Sequence, residues 1–568
     1  MKSLILCLSC LLISCERPAL KAILDDDVKE GSSEDSSDQI VQKTASLESA
    51  DVDCGNERIG DKEVVLLEIS NEGGVEAKQM VFESLPEGYS YSGGVFPGNN
   101  GTCSTTLAEE SSCFVEIEFV PSSEKDYSFT WDIAYEDDVS QKNLEVAVSG
   151  NGVGYGDLDS SYQTNGYNIQ DYGANEYFID FFENVDNSIT FIGSGGDGAL
   201  GDANINVLKA GVDGVLDSTF GDSGLKTIDL DSNEDDLVVG AVQTVSNDIK
   251  ILLEHNNVGG SCALDNAGEV LNSYGVLGSG LATLTSILGT SIESYKDVGL
   301  MQDGSLVLVG ESTPLSGDSE MVISKIDDDG ILDVAVPFFG GMLNAGNKLI
   351  NSSIGGRDFG NTVDFNSDGN IFAGGATTVT GSLNSLLVLI DKTTGANVTS
   401  FGGGDGVFEN DICGEGLDDE ILDVKVLVDG KILIVGLCVD LSLGKDGYIA
   451  RLNADGTLDT TFGSLSTGVV RLDIDGLDDL FVNVLVQPDG KIVAIGESAG
   501  SLNVRTLIVR LSANGVLDTT FGQSGIRLHD FGRDIKVKKA KLLTSGKLLI
   551  VGRAIGASED FFSARLNM

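Results

Sequence analysis

The residues that could support catalysis are few in this sequence. Histidine occurs twice, at His255 and His529, far apart along the chain. The sequence therefore offers few residues for a histidine-based catalytic triad or for a zinc site. The stretch GESAG around Ser498 fits the G-x-S-x-G pattern of a nucleophile elbow. Such an elbow needs a strand that turns sharply into a helix beside a histidine, whereas Ser498 ends a predicted strand. We therefore predict no catalytic residue and a protein that is not an enzyme.

Clustered acidic residues are the second kind of chemistry that the sequence offers. The stretches DLDSNEDD (229–236), KIDDDG (325–330) and DIDGLDD (473–479) bring carboxylates and carbonyls together, and hard cations such as calcium prefer these ligands. None has the full spacing of an EF-hand loop. Turn chemistry accounts for most of these aspartates, so calcium is an alternative and no metal ligand is assigned. The GSGGDG stretch (193–198) lacks a flanking βαβ unit, and no cofactor is predicted.

The overall charge excludes two classes of partner. The chain carries 89 Asp and Glu residues against 35 Lys and Arg residues, which gives a formal net charge of -54. Nucleic acid and anionic lipid headgroups are attracted by Lys and Arg, so neither is an expected direct partner. A strongly acidic surface favours a soluble extracytoplasmic protein, which we expect to be a monomer.

The first residues predict the compartment. An apolar run at 4–13 follows Lys2; it is too short to span a bilayer and is typical of a signal-peptide core. It ends in LISC (12–15), which resembles the lipobox of bacterial lipoproteins. The resemblance implies a lipoprotein signal peptide at 1–15, acylation of Cys15 and a lipid-anchored protein of the bacterial cell envelope, at the outer membrane or cell surface. A secretory signal with an incidental cysteine is the alternative.

Two compositional zones follow the signal. Residues 16–50 are rich in Ser and acidic residues without an apolar period, which predicts a disordered acidic linker. Residues 51–153 contain short alternating runs such as EVVLLEISN and LEVAVSGNG, the pattern of a β-sandwich. Within them, GTCSTTLAEESSCFVEIEFVPSS resembles hydin-type immunoglobulin-like domains of bacterial surface proteins. The resemblance implies an immunoglobulin-like spacer or interaction module, in which Cys103 and Cys113 could form a disulfide in an oxidising compartment.

The remainder of the chain is repetitive. The stretches FVNVLVQPDGKIVAIGES (481–498) and RTLIVRLSANGVLDTTFGQSGI (505–526) form one unit of roughly sixty residues, and each half recurs seven times. Asp-Gly and Asn-Gly turns separate short apolar runs, so each unit predicts four antiparallel strands. Such repeats are typical of a β-propeller, and they resemble the delta-60 repeat of bacterial surface propellers. We predict an all-β protein with a seven-bladed β-propeller at 156–568 behind the sandwich.

The end of the chain predicts how the ring closes. The sequence stops at ARLNM (564–568), where the repeat elsewhere continues through a turn into LDTTFG. The missing piece resembles GDLDSSYQ (156–163). We therefore predict that the last blade takes three strands from the C-terminal region and its fourth from residues near Leu158, which would cover the exposed sheet edges. A truncated eighth repeat on an open array is the alternative.

The remaining cysteines suggest one further pairing. Cys413 and Cys438 flank the hairpin of a single repeat, and the offset of two strands could bring them together as a second disulfide. Cys54 and Cys262 have no evident partner.

These expectations favour a non-catalytic binding or scaffold protein. Propellers bind ligands at the mouth of the channel or on the loops of one rim. The least repetitive stretches, 279–296 and 337–360, are the predicted docking loops for a protein or glycan ligand. One alternative is a propeller enzyme, glycan-cleaving or cofactor-dependent, that uses carboxylates at the channel. Another is a structural spacer.

Overall fold

The structure is a computed structural model, and its regular elements are strands. No helix among the residues that it describes is long and apolar enough to cross a membrane. Cys15 and the predicted range 1–15 lie outside the described residues. These comprise 43–59, 62–123, 125–173, 175–196, 203–230, 235–255, 258–275, 279–284, 291–314, 318–332, 346–351, 356–379, 381–414, 416–440 and 444–568.

The N-terminal region is a sandwich of two sheets. One sheet has the order β1-β3-β6-β5, and the other has the order β2-β9-β8-β4 with β7 paired to β9. Inward-facing side chains of both sheets, among them Ile69, Ile117, Trp131 and Val148, form one buried cluster. The strands are β1 (Leu47–Glu48), β2 (Val52–Arg58), β3 (Glu63–Asn71), β4 (Lys78–Phe82), β5 (Tyr89–Tyr91), β6 (Ser111–Phe119), β7 (Lys125–Asp126), β8 (Phe129–Glu136) and β9 (Gln141–Val153).

The sandwich begins earlier than the sequence predicted. Strand β1 lies inside the range 16–50, which was expected to be a linker, and it pairs with β3 through Leu47 and Asn71. Ala45 and Leu47 are buried in the sandwich core. Burial of these two side chains against the core explains why the order extends upstream of residue 51.

Seven four-stranded sheets follow within the described residues, and we number them by position along the chain. Strand β10 (Tyr167–Gln170) precedes them. Sheets 1 to 3 comprise β11 (Glu176–Glu183), β12 (Ile189–Gly196), β13 (Ala203–Ala210), β14 (Leu225–Ile228); β15 (Asp236–Gln243), β16 (Ile249–His255), β17 (Val258–Leu264), β18 (Leu281–Thr283); and β19 (Ser291–Leu300), β20 (Leu306–Pro314), β21 (Glu320–Ile326), β22 (Asn347–Ile350).

Sheets 4 to 6 repeat the same antiparallel order, and sheet 7 is assembled from both ends of the region. Its order is β10-β37-β36-β35. The strands are β23 (Asp358–Phe365), β24 (Ile371–Val379), β25 (Ser382–Ile390), β26 (Val407–Asn410); β27 (Asp418–Val426), β28 (Ile432–Asp440), β29 (Gly444–Leu452), β30 (Val469–Leu472); β31 (Asp479–Val486), β32 (Ile492–Ala499), β33 (Val504–Leu511), β34 (Ile526–His529); and β35 (Asp534–Leu542), β36 (Leu548–Ile555), β37 (Glu559–Leu566).

Neighbouring sheets pack face to face around a circle. Each consecutive pair of sheets shares a buried apolar cluster. Sheet 7 also packs on sheet 1, where the Phe561 ring lies 4.8 Å from that of Phe178 and 5.2 Å from that of Phe191. Because both faces are covered, the second strands of sheets 3 to 7 begin with a continuous apolar run such as LLIVG or ILIVG. The arrangement is a β-propeller.

One cluster of side chains explains why thirteen residues are repeated almost unchanged. In sheet 5, Arg451 Nε donates to Asp459 Oδ2 at 2.7 Å, and the guanidinium lies 4.7 Å from the centre of the Phe462 ring. Gly515 in the turn of the next sheet approaches the other side of that ring so closely that a β-carbon would lie 2.7 Å from it. The motif therefore fixes a buried ion pair and a contact between neighbouring sheets.

The same cluster closes the ring. Arg565 Nε donates to Asp159 Oδ2 at 2.6 Å, with both side chains 5% exposed, and its guanidinium lies 5.0 Å from the Tyr162 ring centre. The turn hydrogen bonds are also preserved across the two segments. Gly156 N donates to Asn567 O at 2.7 Å, as Gly456 N donates to Asn453 O at 2.9 Å in sheet 5. Two separate segments thus rebuild a turn that is continuous elsewhere.

The position of the closing strand differs from the prediction. Leu158 forms only an isolated bridge with Leu566, as Leu458 does with Leu452. The fourth strand of sheet 7 is β10, which pairs with β37 from Tyr167 opposite Ala564 onwards. The LDTTFG stretches of sheets 5 and 6 are turns, because Asp459 and Asp518 each accept a backbone and a hydroxyl hydrogen bond from the threonine two residues later. The strand forms only after that turn.

We predict that Arg565 joins the ends of the propeller. Arg565→Ala and Arg451→Ala remove the same guanidinium from equivalent clusters, and each leaves a buried aspartate short of a partner. Each variant should lower the free energy of unfolding by about 3 kcal/mol in urea titrations. Only Arg565→Ala should accelerate hydrogen exchange of the β10 amides. Equal acceleration in both variants would contradict a special role of Arg565 in closure.

Candidate functional site

The first strands of the seven sheets surround a cavity of about 390 Å³ on the propeller axis, which we call the axis cavity. Each of these strands has a register shift at the same point, for example between Phe178 and Asp180 in β11 and between Val537 and Lys539 in β35. Such a β-bulge changes the direction in which the side chain of the following residue points. The seven residues that follow the bulges are Asp180, Gly240, Asp297, Thr362, Asp423, Asn483 and Lys539.

The three aspartates of this ring are anchored by backbone amides. Asp297 Oδ2 accepts from Val363 N at 2.9 Å, and Asp423 Oδ2 accepts from Val484 N at 2.8 Å. Each of these bonds joins one sheet to the next around the axis. Asp180 forms an ion pair with Lys541. The carboxylates therefore hold the sheets together as well as line the cavity.

Lys539 balances these carboxylates. Burial alone would lower the pKa of Lys539, but the charges of Asp297, Asp180 and Asp423 outweigh burial and raise it above its ordinary value. Burial raises the pKa of Asp423 to about 6, although Lys539 opposes that rise. The axis cavity thus presents charged groups of both signs, which can accept and donate hydrogen bonds.

A second set of acidic residues lies two positions before each bulge. Six of the seven first strands carry one, and sheet 7 has Ile535 instead. Asp419 Oδ1 accepts from Ser385 N at 2.7 Å, and Asp479 Oδ2 accepts from Ile474 N at 2.5 Å. These two carboxylates therefore fasten the start of sheets 5 and 6. The six are Glu176, Asp236, Glu293, Asp358, Asp419 and Asp479.

The residues considered for catalysis do not assemble into one site. Ser498 is buried, and its hydroxyl accepts from Arg505 Nη2 at 3.1 Å. His255 Nδ1 lies 2.7 Å from Asp236 Oδ1 inside sheet 2. His529 lies at the closure, with Nε2 2.8 Å from Gly156 O. Within the described part of the chain, no hydrogen bond joins Ser498 to either histidine.

Both cysteine pairs suggested by the sequence are bonded in the structure. Cys103 is bonded to Cys113 with their Cα atoms 4.8 Å apart, and Cys413 is bonded to Cys438 with theirs 5.8 Å apart. Cys54 and Cys262 are buried free thiols. The second disulfide ties the approach to β27 to the end of β28.

Among the residues that the structure describes, the three acidic stretches do not contribute to a common cluster of carboxylates. Residues 231–234 of the first stretch lie outside the described residues. Among those described, three oxygens within 4.8 Å of one another come from Asp171, Glu176 and Asp560, which belong to none of the three stretches. Asp560 is also paired with Arg533.

The two predicted docking loops are partly strands. The stretch 279–296 contains β18 and the start of β19, and the stretch 337–360 contains β22 and the start of β23. Residues 285–290, 337–345 and 352–355 lie outside the described residues. The role of these two stretches in docking a ligand stays a prediction.

One end of the propeller carries exposed apolar side chains. The connections between first and second strands and between third and fourth strands leave the sheets at this end, which we call the turn face. Val185, Val245 and Val428 occupy equivalent hairpin tips and are 88%, 105% and 106% exposed. Exposed aspartates, including Asp186 and Asp429, follow two of them. In the sequence, these exposed tips correspond to a valine directly before the two turn residues of the first hairpin. We had counted that valine as part of the alternating apolar residues of the strand.

Two grooves lie between sheets near this end of the propeller, and one of them is bordered by Val245. The larger has a volume of about 580 Å³ and is lined by Val245, Tyr274 and Met301, among others. Lys250 crosses its floor and donates to the carbonyl oxygens of Gly304 at 2.9 Å and Asp328 at 2.8 Å. A second groove of about 330 Å³ lies between sheets 3 and 4. The turn face therefore combines exposed tips with concave, partly apolar surface.

Comparison with known proteins agrees with the fold. A family model described as a domain of unknown function (DUF5122) beta-propeller matches residues 429–462 and 487–521. No curated protein matches the chain. YCF48 bound to D1 peptide is 11% identical over 73% of this chain and 98% of that chain, with a TM-score of 0.37. A catalytically inactive virginiamycin B lyase from Staphylococcus aureus with quinupristin is 9% identical over 71% of this chain and 99% of that chain, with a TM-score of 0.39.

A third structure covers a shorter stretch. The Vibrio cholerae VesB protease is 20% identical over 18% of this chain and 31% of that chain, with a TM-score of 0.16. The chain thus spans less than a third of the length of that protease. At these identities and TM-scores, the structures bear on neither activity nor ligand.

We predict that the buried acidic residues make the propeller more stable in mild acid. Burial raises the pKa of Asp419 and of Asp479 from an ordinary 3.8 to about 6. The stability that these groups contribute is therefore full below pH 3.8 and is lost as the pH rises through about 6. Asp419→Asn should flatten the fall in melting temperature between about pH 4 and pH 7, and melt a few degrees above wild type at the upper end.

The control for this measurement is Asp418→Asn, which removes the same formal charge one residue away. It should keep the wild-type dependence of melting temperature on pH. Equal slopes for both variants would mean that the overall negative charge, rather than burial of Asp419, governs the effect.

Proposed function

We propose that the chain is a lipid-anchored bacterial envelope protein that binds a protein partner without catalysis. In this proposal Cys15 carries the lipid, the N-terminal sandwich is an immunoglobulin-like stalk of the hydin type, and the seven sheets are the blades of a closed delta-60 propeller. The turn face is the docking surface.

The exposure of Val185, Val245 and Val428 is the observation that carries the proposal. When a partner covers exposed apolar side chains, their removal from water contributes favourably to the free energy of binding. Their equivalent positions place them on one side of the propeller, and Val245 also lines the larger groove between sheets. Eight of the eleven exposed large apolar residues in the described part of the propeller lie on this face: Val185, Val212, Val215, Val245, Ile331, Val428, Leu465 and Val516.

Charge indicates the kind of partner that fits. The first hairpin tips of five sheets present an exposed aspartate, and the whole chain has a net charge of -54. An acidic rim around apolar tips suits a protein surface with apolar side chains and flanking Lys or Arg. The exposed aspartates are Asp186, Asp303, Asp368, Asp429 and Asp489.

An enzyme that uses the axis carboxylates is the competing function. General acid-base catalysis needs a carboxyl group that is free to exchange protons with a substrate. Both oxygens of Asp423 accept backbone amides, from Val424 at 3.0 Å and from Val484 at 2.8 Å. Asp297 is held in the same way by Val298 and Val363. These anchors support a binding role over a catalytic one.

We predict that a partner is lost when the valine tips become polar. The variant Val185→Ser/Val245→Ser/Val428→Ser should fold like wild type, because all three positions are exposed. Proteins captured from envelope extracts by the wild-type chain would be identified, purified and titrated against both proteins by biolayer interferometry. The triple variant should bind its partner at least about tenfold more weakly.

The matched control is Leu502→Ser at the opposite end of the propeller, where the side chain is 87% exposed. It should bind like wild type. A partner that is lost with Leu502→Ser and kept by the triple variant would overturn the docking surface. Failure to find a saturable partner would favour the structural spacer, and turnover of a captured molecule would favour the enzyme.

We predict that Cys15 carries the anchor. In bacteria that express the full chain, a palmitate analogue should label wild type and Cys10→Ser, and both should sediment with membranes. Cys15→Ser should lose the label and appear in the soluble fraction, because the acylated residue is gone. Labelling of Cys15→Ser would contradict the lipobox assignment.

A further inference from the structure

Strand β3 of the sandwich has one edge that is only partly covered. Its pairing with β6 runs over all nine of its residues, Glu63–Asn71, without a register shift. On the other side, β1 pairs with only the last two of them, Ser70 and Asn71. Within the part of the chain that the structure describes, no strand pairs with residues 63–69 on that side. This open edge presents main-chain groups to which another strand can bind.

The edge is open because the chain changes sheets just after β1. Strand β1 belongs to one sheet of the sandwich, and β2, the next strand, belongs to the other. The connection between them contacts the edge where Ser49 Oγ donates to Glu68 O at 2.7 Å. That carbonyl therefore points to the open edge. Because the direction of main-chain groups alternates along an antiparallel strand, those of Leu66 and Val64 point the same way.

The other edge strands of the sandwich are protected in ways that β3 is not. Strands β1 and β5 have two and three residues, and β2 and β4 have register shifts in their pairing. Short or irregular edge strands pair poorly with a further strand. Strand β3 is long and regular, and it exposes two apolar side chains on the outer face, Val64 (39%) and Leu66 (52%). It is therefore the edge of the sandwich that is best suited to accept another strand.

The charge around the edge restricts the kind of strand that fits. A groove of about 640 Å³, which we call the edge groove, lies between β3 and the connection that follows β1. Its charged lining residues are all acidic: Glu48, Asp51, Glu68 and Glu72. A second copy of this chain would bring the same carboxylates to the edge and would be repelled. A segment that carries Lys or Arg is attracted instead.

We propose that the open edge of β3 accepts an extended segment of a partner protein, rich in Lys or Arg and apolar residues, as an added strand. Main-chain hydrogen bonds with Val64 and Leu66 supply the pairing. Apolar side chains of the segment cover these two residues as cross-strand neighbours do, and the edge groove selects for positive charge. The edge belongs to the sandwich and the turn face to the propeller, so the two proposals succeed or fail independently.

The test is titration of the intact chain with a designed peptide. A labelled heptapeptide of alternating Lys and Val, blocked at both ends, would be measured by fluorescence anisotropy at about 0.15 M salt, where distant charges are screened. It should bind with a stoichiometry of one and a dissociation constant on the order of 0.1 mM or tighter. The control peptide has Pro in place of the central Val. It carries the same charge but lacks a main-chain donor, and should bind at least about tenfold more weakly.

Hydrogen exchange locates the bound peptide. Saturating peptide should slow the exchange of amides in residues 63–69, because those that point to the open edge gain acceptors. The amides of β8, in the other sheet, should exchange as they do without peptide. Slowing of exchange in another part of the chain, with none in residues 63–69, would assign the peptide to a different surface.

Two variants separate main-chain pairing from charge. Leu66→Pro removes an amide that points to the open edge, where proline is tolerated. It should melt close to wild type and bind the peptide at least about tenfold more weakly. Glu68→Lys leaves the main chain intact and should weaken binding by about fivefold. Its control is Glu83→Lys, the same change of charge at an exposed position beyond β4, at the far edge of the other sheet. This control should bind like wild type.

Three outcomes would overturn the proposal. One is the absence of saturable binding of the Lys-Val peptide, which would leave the carboxylates as protection of the edge against pairing. Another is equal binding of the two peptides, which would mean attraction by charge alone. The third is equal weakening by Glu68→Lys and Glu83→Lys. The result for Glu68→Lys decides the matter even where Leu66→Pro fails to fold. The valine triple variant should bind the peptide like wild type, so failure of the turn face leaves this test unaffected.

Discussion

The propeller depends on a turn that is built from two separate segments of the chain. A circular stack of sheets has no edge only if its last sheet is completed by the segment that begins it. In sheets 5 and 6 a continuous turn forms a set of hydrogen bonds, a buried Arg–Asp ion pair and a contact between the arginine and an aromatic ring. Residues 156–162 and 565–567 form the equivalent contacts, with Arg565, Asp159 and Tyr162 in these roles. Strand β10 then adds four residues to β37, so closure uses the same local chemistry as the turns of sheets 5 and 6.

Buried charge is the second organising feature. Burial of carboxylates is unfavourable unless hydrogen bonds compensate it. The propeller meets this condition by directing backbone amides of a neighbouring sheet or preceding loop at Asp297, Asp423 and Asp479. The acidic residues therefore specify how sheets are joined, which apolar packing alone leaves open. The compensation is incomplete at Asp419 and Asp479, where the second carboxylate oxygen is buried without a hydrogen-bond partner among the described residues.

The sequence predicted the repeat architecture better than the site. Turn dipeptides and apolar runs recur visibly, and the similarity of GDLDSSYQ to LDTTFG was enough to connect the two ends. The role of LDTTFG was misjudged, because Leu458 alternates like a strand residue although Asp459 stabilises a turn. The ring residues were missed because they occur once per unit and differ in type, as Asp423 and Lys539 show. Their common feature is the β-bulge before them, and no residue type in the sequence predicts where that bulge occurs.

The route of the chain between its two folded parts has a mechanical consequence. Strand β9 of the sandwich ends at Val153, and the chain enters the closing turn at Gly156. Tension applied to the sandwich therefore passes through Tyr155, which pairs with Phe521 of sheet 6, before it reaches the closing turn and the pairing of β10 with β37. These contacts bear the load between the two folded parts ahead of the sheets that are formed from continuous chain.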